Sequence, residues 1–308
     1  MTTAHDVAKQ LAQLSDAGLW LGIAPKLHIG DARLAAAAVT PIAFRADVVD
    51  SVRADLVREG YFQLPPQDWG IDVAKLAAGV AALDAAGFPP VFLFMYDEAW
   101  LMFARLRGLL QAVLGEQYRM QPAFWAWHVN GKREGAGWSP HRDMGHKSLL
   151  PDRSPKSLTV WLPLTEATPQ NGCMYVVPAD REVYYGTARE QESPITLQDV
   201  RALPSAAGGV LGWTQALFHW GGRARAPVTT PRISISVEFQ RGDQPPIYEP
   251  QFDPAATLDI MTRLRLIMRQ ALQYQHMYPL PAEMRTVAEA LAFKSGPAQA
   301  FVDSMRTP

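Results

Sequence analysis

Between residues 117 and 241 the apolar residues stop recurring at helical spacing and begin to alternate. "FWAWHVN", "SLTVWLPL", "GCMYVV", "GGVLGWTQALFHW" and "RISISVEFQR" are short alternating runs bounded by Gly, Pro and Asn, which predicts strands. On either side the period is helical. "SVRADLVREGYFQL" and "DVAKLAAGVAALDAAG" predict helices, and "DEAWLMFARLRGLLQAVLG" predicts one amphipathic helix ending at Gly115. "ATLDIMTRLRLIMRQALQYQ" and "PAEMRTVAEALAFK" return to helix. The order helix, strand, helix predicts a mostly β core with flanking helices in a single domain. Its parts are an N-terminal helical region at 1–115, a β-rich core at 116–245 and a C-terminal helical region at 246–308. At 48% apolar residues, a chain of this length has enough side chains for a sizeable core.

Charge and cysteine usage remove several classes. A net charge of −1 gives no reason to expect nucleic acid or an anionic membrane as partner. One cysteine, Cys173, excludes an internal disulfide framework and a cysteine-built zinc site. The opening "MTTAHDVAKQLAQLSDAGLWLG" mixes charges into a helical pattern and does not read as a secretory leader. No run of about 18 apolar residues predicts a membrane span. The expectation is a soluble cytoplasmic protein.

"SPHRDMGH" packs His141, Arg142, Asp143 and His146 into eight positions. On an extended backbone His141 and Asp143 point to the same side, and His146 to the other. An imidazole and a carboxylate on one side supply two adjacent metal ligands, and a third must come from elsewhere. The alternative is a solvated polar loop. Downstream, "TQALFHWGG" places His219 at the end of an apolar strand. The next strand, "PRISISVEF", puts Arg232, Ser234 and Ser236 on one face and Ile233, Ile235 and Val237 on the other. Arg and Ser two apart on a strand form a clamp for a carboxylate; the alternative is the solvent face of an edge strand.

The run from "HRD" through "SLTVWLPLTEATPQNGCMYVVPADRE" and "FHWGG" to "PRISISVEF" resembles the phytanoyl-CoA dioxygenase-like (PhyH) family of Fe(II)/2-oxoglutarate oxygenases. The resemblance covers about 115–241. It keeps Asn171-Gly172 and the strand to Pro178, then has Ala179-Asp180-Arg181 where the family has Gly-Ser-His. It implies a double-stranded β-helix, the cupin-like jelly roll, wrapped by N- and C-terminal helices. It implies His141, Asp143 and His219 as iron ligands. Arg232, with Ser234 beside it, becomes the clamp for the distal carboxylate of 2-oxoglutarate, and Trp161 lines the cosubstrate pocket. Arg232 follows His219 by 13 positions, through a turn containing Pro227 and Pro231. Fe(II), 2-oxoglutarate and O2 are the implied cofactor and cosubstrates. Hydroxylation of an unactivated C–H bond, with succinate and CO2 as coproducts, is the implied reaction. In related halogenases Gly or Ala replaces the carboxylate that Asp143 supplies here. Desaturation, epoxidation and cyclisation use the same chemistry.

Substrate-pocket candidates are His128, Asn130 and Lys132 before the iron motif, and His146 after it. Alternation divides the first strand between Phe124, Ala126, His128 and Asn130 on one face and Trp125, Trp127 and Val129 on the other. Tyr184 and Tyr185 fit either a lid or ordinary packing. Lys132, Arg133, Arg142, Lys147, Arg153 and Lys156 outnumber the acids between 128 and 156, which predicts a small-molecule, anionic substrate. Two other readings compete. One is a non-redox cupin-like metal- or ligand-binding protein. The other is a zinc hydrolase drawing its base from Glu166 or Glu182.

Overall fold

The computed structural model describes residues 4–38, 40–131, 137–225 and 230–292. Helices α1 (Ala4–Leu14), α2 (Ala17–Ile23), α3 (Ala32–Ala38) and α4 (Ala46–Arg58) precede strand β1 (Tyr61–Leu64). Helices α5 (Val73–Ala85), α6 (Asp97–Ala104) and α7 (Arg107–Leu114) follow. The strand zone holds β2 (Arg119–Val129), β3 (Ser157–Pro163), β4 (Met174–Val177), β5 (Arg201–Leu203), β6 (Val210–Thr214), β7 (Phe218–Gly221) and β8 (Arg232–Gln240). Helices α8 (Ile260–Gln273) and α9 (Ala282–Ala292) close the described chain. None of these helices is long and apolar enough to cross a membrane.

The strands form two antiparallel sheets, one of five in the order β1-β6-β3-β8-β2 and one of three in the order β5-β4-β7. This is the expected β core with helices at both ends. Both faces of the five-stranded sheet are covered. On one face of β2 and β8, Phe124 packs on Phe94 and Trp100, and Phe239 on Phe103, joining the sheet to the helical layer of residues 90–104. The opposite face carries Trp127, Thr159, Trp161, Trp213, Ser236 and Glu238, and these line a cavity. Strand β8 is therefore no edge strand. It sits between β3 and β2, so its Arg/Ser face is interior.

Three segments depart from the sequence expectation. In "SVRADLVREGYFQL" the helix ends at Arg58; Gly60 adopts φ +79°, and "YFQL" becomes β1, paired with β6. The N-terminal region thus contributes a strand. "DEAWLMFARLRGLLQAVLG" is two helices. The Arg105 carbonyl accepts the Ile42 N–H at 2.8 Å instead of continuing its own ladder, and the helix restarts at Arg107. "GGVLGWTQALFHW" is also two elements, since the turn at Gln215–Leu217 carries the chain from the five-stranded sheet to the three-stranded one.

Candidate metal centre and cavity

His141 and His219 meet through their backbones. Each donates its N–H to the other's carbonyl, at 3.0 and 2.9 Å, as an isolated antiparallel bridge. The β6–β7 turn steadies the neighbouring residues, because the Gln215 carbonyl accepts the N–H groups of Met144 and Gly145. Arg142 points away from the cavity and is held by the Ala216 carbonyl and the Glu182 carboxylate. With Arg142 anchored on one side, His141 and Asp143 are presented on the other, as the period-two reading requires.

Ligating atoms of His141, Asp143 and His219 lie within 4.8 Å of one another. Asp143 Oδ1 is 3.4 Å from His141 Nε2 and 3.6 Å from His219 Nε2. Each imidazole has its Nδ1 on a backbone carbonyl, that of Ser139 at 2.9 Å for His141 and that of Leu217 at 3.0 Å for His219. A carbonyl only accepts, so Nδ1 carries the proton and each Nε2 presents a lone pair. Asp143 is oriented in the same way. Its Oδ2 accepts from Thr159 Oγ1 at 2.9 Å and Trp213 Nε1 at 3.2 Å, and Oδ1 is left toward the histidines. Two nitrogens and one carboxylate oxygen converging on one point form the donor set that suits non-haem iron and leaves coordination positions open.

The electrostatics agree with the geometry. Burial pushes the Asp143 carboxyl up, but His219, His141 and the Thr159 hydroxyl outweigh it and hold the group at about 2. Burial pushes His219 down. Burial also opposes charging of His141, but its hydrogen bond to the Asp143 carboxylate prevails and raises it.

The three donors open into a cavity of about 330 Å³. Behind its tryptophan wall lies Arg232, fully buried, its guanidinium carbon 5.6 Å from the Trp138 ring centre and 5.9 Å from that of Trp161. Nη1 donates to Ser234 Oγ at 3.0 Å. Nε and Nη2 have no partner among the described residues. Burial lowers this guanidinium to about 10. An unpaired buried guanidinium costs several kcal/mol, and a carboxylate accepting from both open N–H groups removes that cost. Trp161 is fully buried and lines the cavity, and its Nε1 is also unpartnered.

Of the substrate-pocket candidates, the described ones lie elsewhere. His128 is on the helix-facing side of β2, with Nδ1 3.2 Å from Asp84 Oδ2 of α5. The inward face of β2 is the one carrying Trp127, so Asn130, which shares the face of His128, does not line the cavity either. Lys132 lies outside the described residues. His146 sits in a 3-10 turn at Gly145–Ser148, and its backbone N–H and Nδ1 approach Glu190 Oε1 at 2.9 and 3.2 Å. Tyr185 is packed, with its hydroxyl on Thr214, and Tyr184 lies under the Arg189 guanidinium. The basic count between 128 and 156 does not become a basic mouth. Arg142 is paired with Glu182, Lys147, Arg153 and Lys156 do not line the cavity, and Arg133 lies outside the described residues. Glu166 and Glu182 do not line the cavity.

Two contributions escaped the sequence reading. Glu238 follows Arg232, Ser234 and Ser236 on the same face of β8, so the alternation already carried the signal. Its carboxyl is pushed up to about 8 by burial and by the charge of Asp143. Tyr274, His276 and Met277 reach the cavity from the turn after α8. Nothing in the local pattern of "QYQHMY" announces this, because the contact is purely tertiary.

A sequence model of the family described as phytanoyl-CoA dioxygenase (PhyH) matches residues 37–230, well over half the chain. Among solved structures, the non-heme monooxygenase ThoJ in its apo form superposes with a TM-score of 0.51 at 14% identity, over 77% of this chain and 99% of that one. The epimerase SnoN, in complex with Fe3+, alpha ketoglutarate and nogalamycin RO, superposes with a TM-score of 0.48 at 20% identity, over 64% and 84% of the two chains. EctD from S. alaskensis, with 2-oxoglutarate and 5-hydroxyectoine, gives a TM-score of 0.44 at 19% identity, over 66% and 80%. The likeness to ThoJ is one of fold. No curated protein matches the chain.

Proposed function

Since the chain belongs to the phytanoyl-CoA dioxygenase (PhyH) family, we propose that it is an Fe(II)/2-oxoglutarate-dependent oxygenase that hydroxylates an unactivated C–H bond of a small organic molecule. One observation carries the reading. His141 Nε2, Asp143 Oδ1 and His219 Nε2 converge on a cavity backed by a buried Arg232 whose Nε and Nη2 have no partner among the described residues. A non-redox binding protein gives no reason for that uncompensated guanidinium behind the donor set.

Iron held by the three side chains supplies the activation of dioxygen at the expense of the oxo-acid, which leaves as succinate and CO2. The chain's own residues do the rest. Arg232 takes the distal carboxylate in a fork, with Ser234 fixing one arm of the guanidinium. Trp161 and Trp138 wall the cosubstrate off from water. Thr159 and Trp213 fix which carboxylate oxygen of Asp143 faces the iron. Asp143 supplies the third ligand, the position that halide takes in the halogenating relatives, and this supports hydroxylation. The zinc-hydrolase reading loses its base, since neither Glu166 nor Glu182 lines the cavity. The anionic substrate is not carried forward, because no described lysine or arginine lines the cavity.

The test is succinate formation from 2-oxoglutarate under air, after anaerobic Fe(II) reconstitution, in wild type and His219→Ala. Slow turnover in wild type that disappears in the variant is the expected result. Calorimetry then measures 2-oxoglutarate binding directly. Absence of both turnover and binding in wild type would return the chain to the non-redox class.

A further inference from the structure

Resting on the iron and 2-oxoglutarate reading above, we propose that the substrate is an organic cation, a protonated amine on an apolar or aromatic body, and that Glu238 recognises it.

The charge inventory of the cavity is the first argument. Iron(II) and the Arg232 guanidinium are together balanced by the Asp143 carboxylate and the two carboxylates of 2-oxoglutarate. What is left among the described lining residues is one carboxyl, Glu238, and the imidazole of His276, with no lysine or arginine. An anionic substrate would add an uncompensated negative charge to this low-dielectric pocket, whereas Glu238 ionised against an ammonium group closes the balance.

The second argument is a contrast within the molecule. The buried glutamates elsewhere each have a basic partner, whereas Glu238 is half-buried: Glu98 has His28, Glu182 has Arg142 and Glu190 has His146. Glu238 has only a neutral amide. Gln215 Nε2 donates to its Oε2 at 2.6 Å, and Gln215 is in turn held through its Oε1 by the Ser157 hydroxyl. Oε1 of Glu238 has no hydrogen bond among the described residues. The carboxyl is thus fixed in orientation, with one oxygen left for a ligand.

Position is the third. Glu238 is opposite Thr159, the residue that holds Asp143, and six residues from Arg232 along β8. At the rise of an extended strand that is roughly 20 Å, so Glu238 stands at the metal end of the cavity and away from the carboxylate clamp. Tyr274 and Trp213, the latter opposite Thr159 on β6, supply aromatic wall to the same cavity, and an ammonium group is attracted to ring faces as well as to a carboxylate.

The probes are phenethylamine, phenethyl alcohol and hydrocinnamate, which share a phenyl body and differ in the end group. Binding to the full chain loaded with Zn(II) and 2-oxoglutarate is followed by tryptophan fluorescence and calorimetry. The expected result is that the amine binds at least about tenfold more tightly than the other two. Glu238→Gln erases that preference, and Glu238→Asp, which keeps the charge, retains part of it. Circular dichroism of both variants separates a folding defect from a recognition defect. Preference for the alcohol or the carboxylate, equal binding of the three, binding of none, or a preference that survives Glu238→Gln overturns the proposal. A prior titration with 2-oxoglutarate keeps the two readings apart. Cosubstrate binding without amine preference sinks the role of Glu238 alone, whereas amine preference without cosubstrate binding sinks the oxygenase reading and leaves Glu238 standing.

Discussion

Two side chains, Thr159 and Trp213, direct their donors at a single oxygen of Asp143. Neither is a ligand, and their effect is to leave the other oxygen for the metal. Thr159→Val keeps the shape of the side chain and removes the 2.9 Å hydrogen bond. Loss of such an orienting partner weakens metal affinity by roughly 10–100-fold. Competition with a fluorescent chelator measures this, and an affinity equal to that of wild type would show the hydroxyl to be incidental. Arg232 gives a sharper residue-scale test, because function and stability pull in opposite directions. Its guanidinium is fully buried, with Nε and Nη2 unpartnered among the described residues, which destabilises the ligand-free fold. Arg232→Met replaces it with an apolar side chain of similar reach. The variant is expected to lose 2-oxoglutarate binding and to gain about 1 kcal/mol or more in ligand-free stability. A purely structural arginine would give the reverse, a lower melting temperature, and denaturant melts decide between them.

At the scale of elements, the turn before β4 shows which parts of the site the sequence made legible. Asn171 closes that turn with its side chain, accepting from the Thr168 N–H at 2.7 Å and donating to the Glu166 carbonyl at 2.8 Å. Gly172 adopts φ +88°, and a Cβ there would stand 2.2 Å from the Gly222 carbonyl oxygen. Gly222 directly follows β7, the strand that carries His219. Gly172→Ala is therefore expected to cost more than the ~1–3 kcal/mol of a strained backbone alone. It should also weaken metal affinity, as the β7 end shifts. A thermal melt paired with a metal titration checks both, and a loss of stability at unchanged affinity would uncouple the turn from the site. The Asn-Gly pair, the His-x-Asp spacing and the Arg-x-Ser alternation were readable because each is a local pattern fixed by strand geometry. Local pattern also misled. Helical spacing carries on into "YFQL", although Gly60 stops the helix and β6 recruits the segment. His128 was placed in the cavity because alternation gives two faces without saying which one is inward. The face carrying Trp127 won because the other face packs against the helical layer through Phe124.

For the whole molecule, the question is how a helical segment beyond the strand zone becomes a wall of the cavity. Strand β2 contains Pro122, which has no N–H to give the ladder, and its register with β8 breaks between Met120 and Phe124. The break leaves the Pro122 carbonyl and the Phe124 N–H without strand partners, and both are taken by one side chain of α8. Gln270, 1% exposed, donates to the Pro122 carbonyl at 2.7 Å and accepts the Phe124 N–H at 3.3 Å. Arg263, about two turns earlier on the same face of the helix, is tied to the Met95 carbonyl and to Asp97, so α8 is held to the helical layer as well. The turn that follows α8 then has its place fixed, with Tyr274 against Trp125 and Tyr274, His276 and Met277 on the cavity. The strand irregularity and the cavity wall are thus two ends of one arrangement. Gln270→Ala leaves two buried backbone groups unsatisfied, at about 1–3 kcal/mol each. Gln270→Glu, protonated at this buried site, retains an acceptor for Phe124 and an O–H donor for Pro122, and should lose only part of that stability. If α8 positions the wall, both variants also weaken binding of whichever aromatic probe the wild type holds, in the same order as their stability losses. Affinity that stayed constant across the two, while stability fell, would mean that the 274–277 turn is positioned by the contacts of α9 with α8 instead of by the strand beneath it.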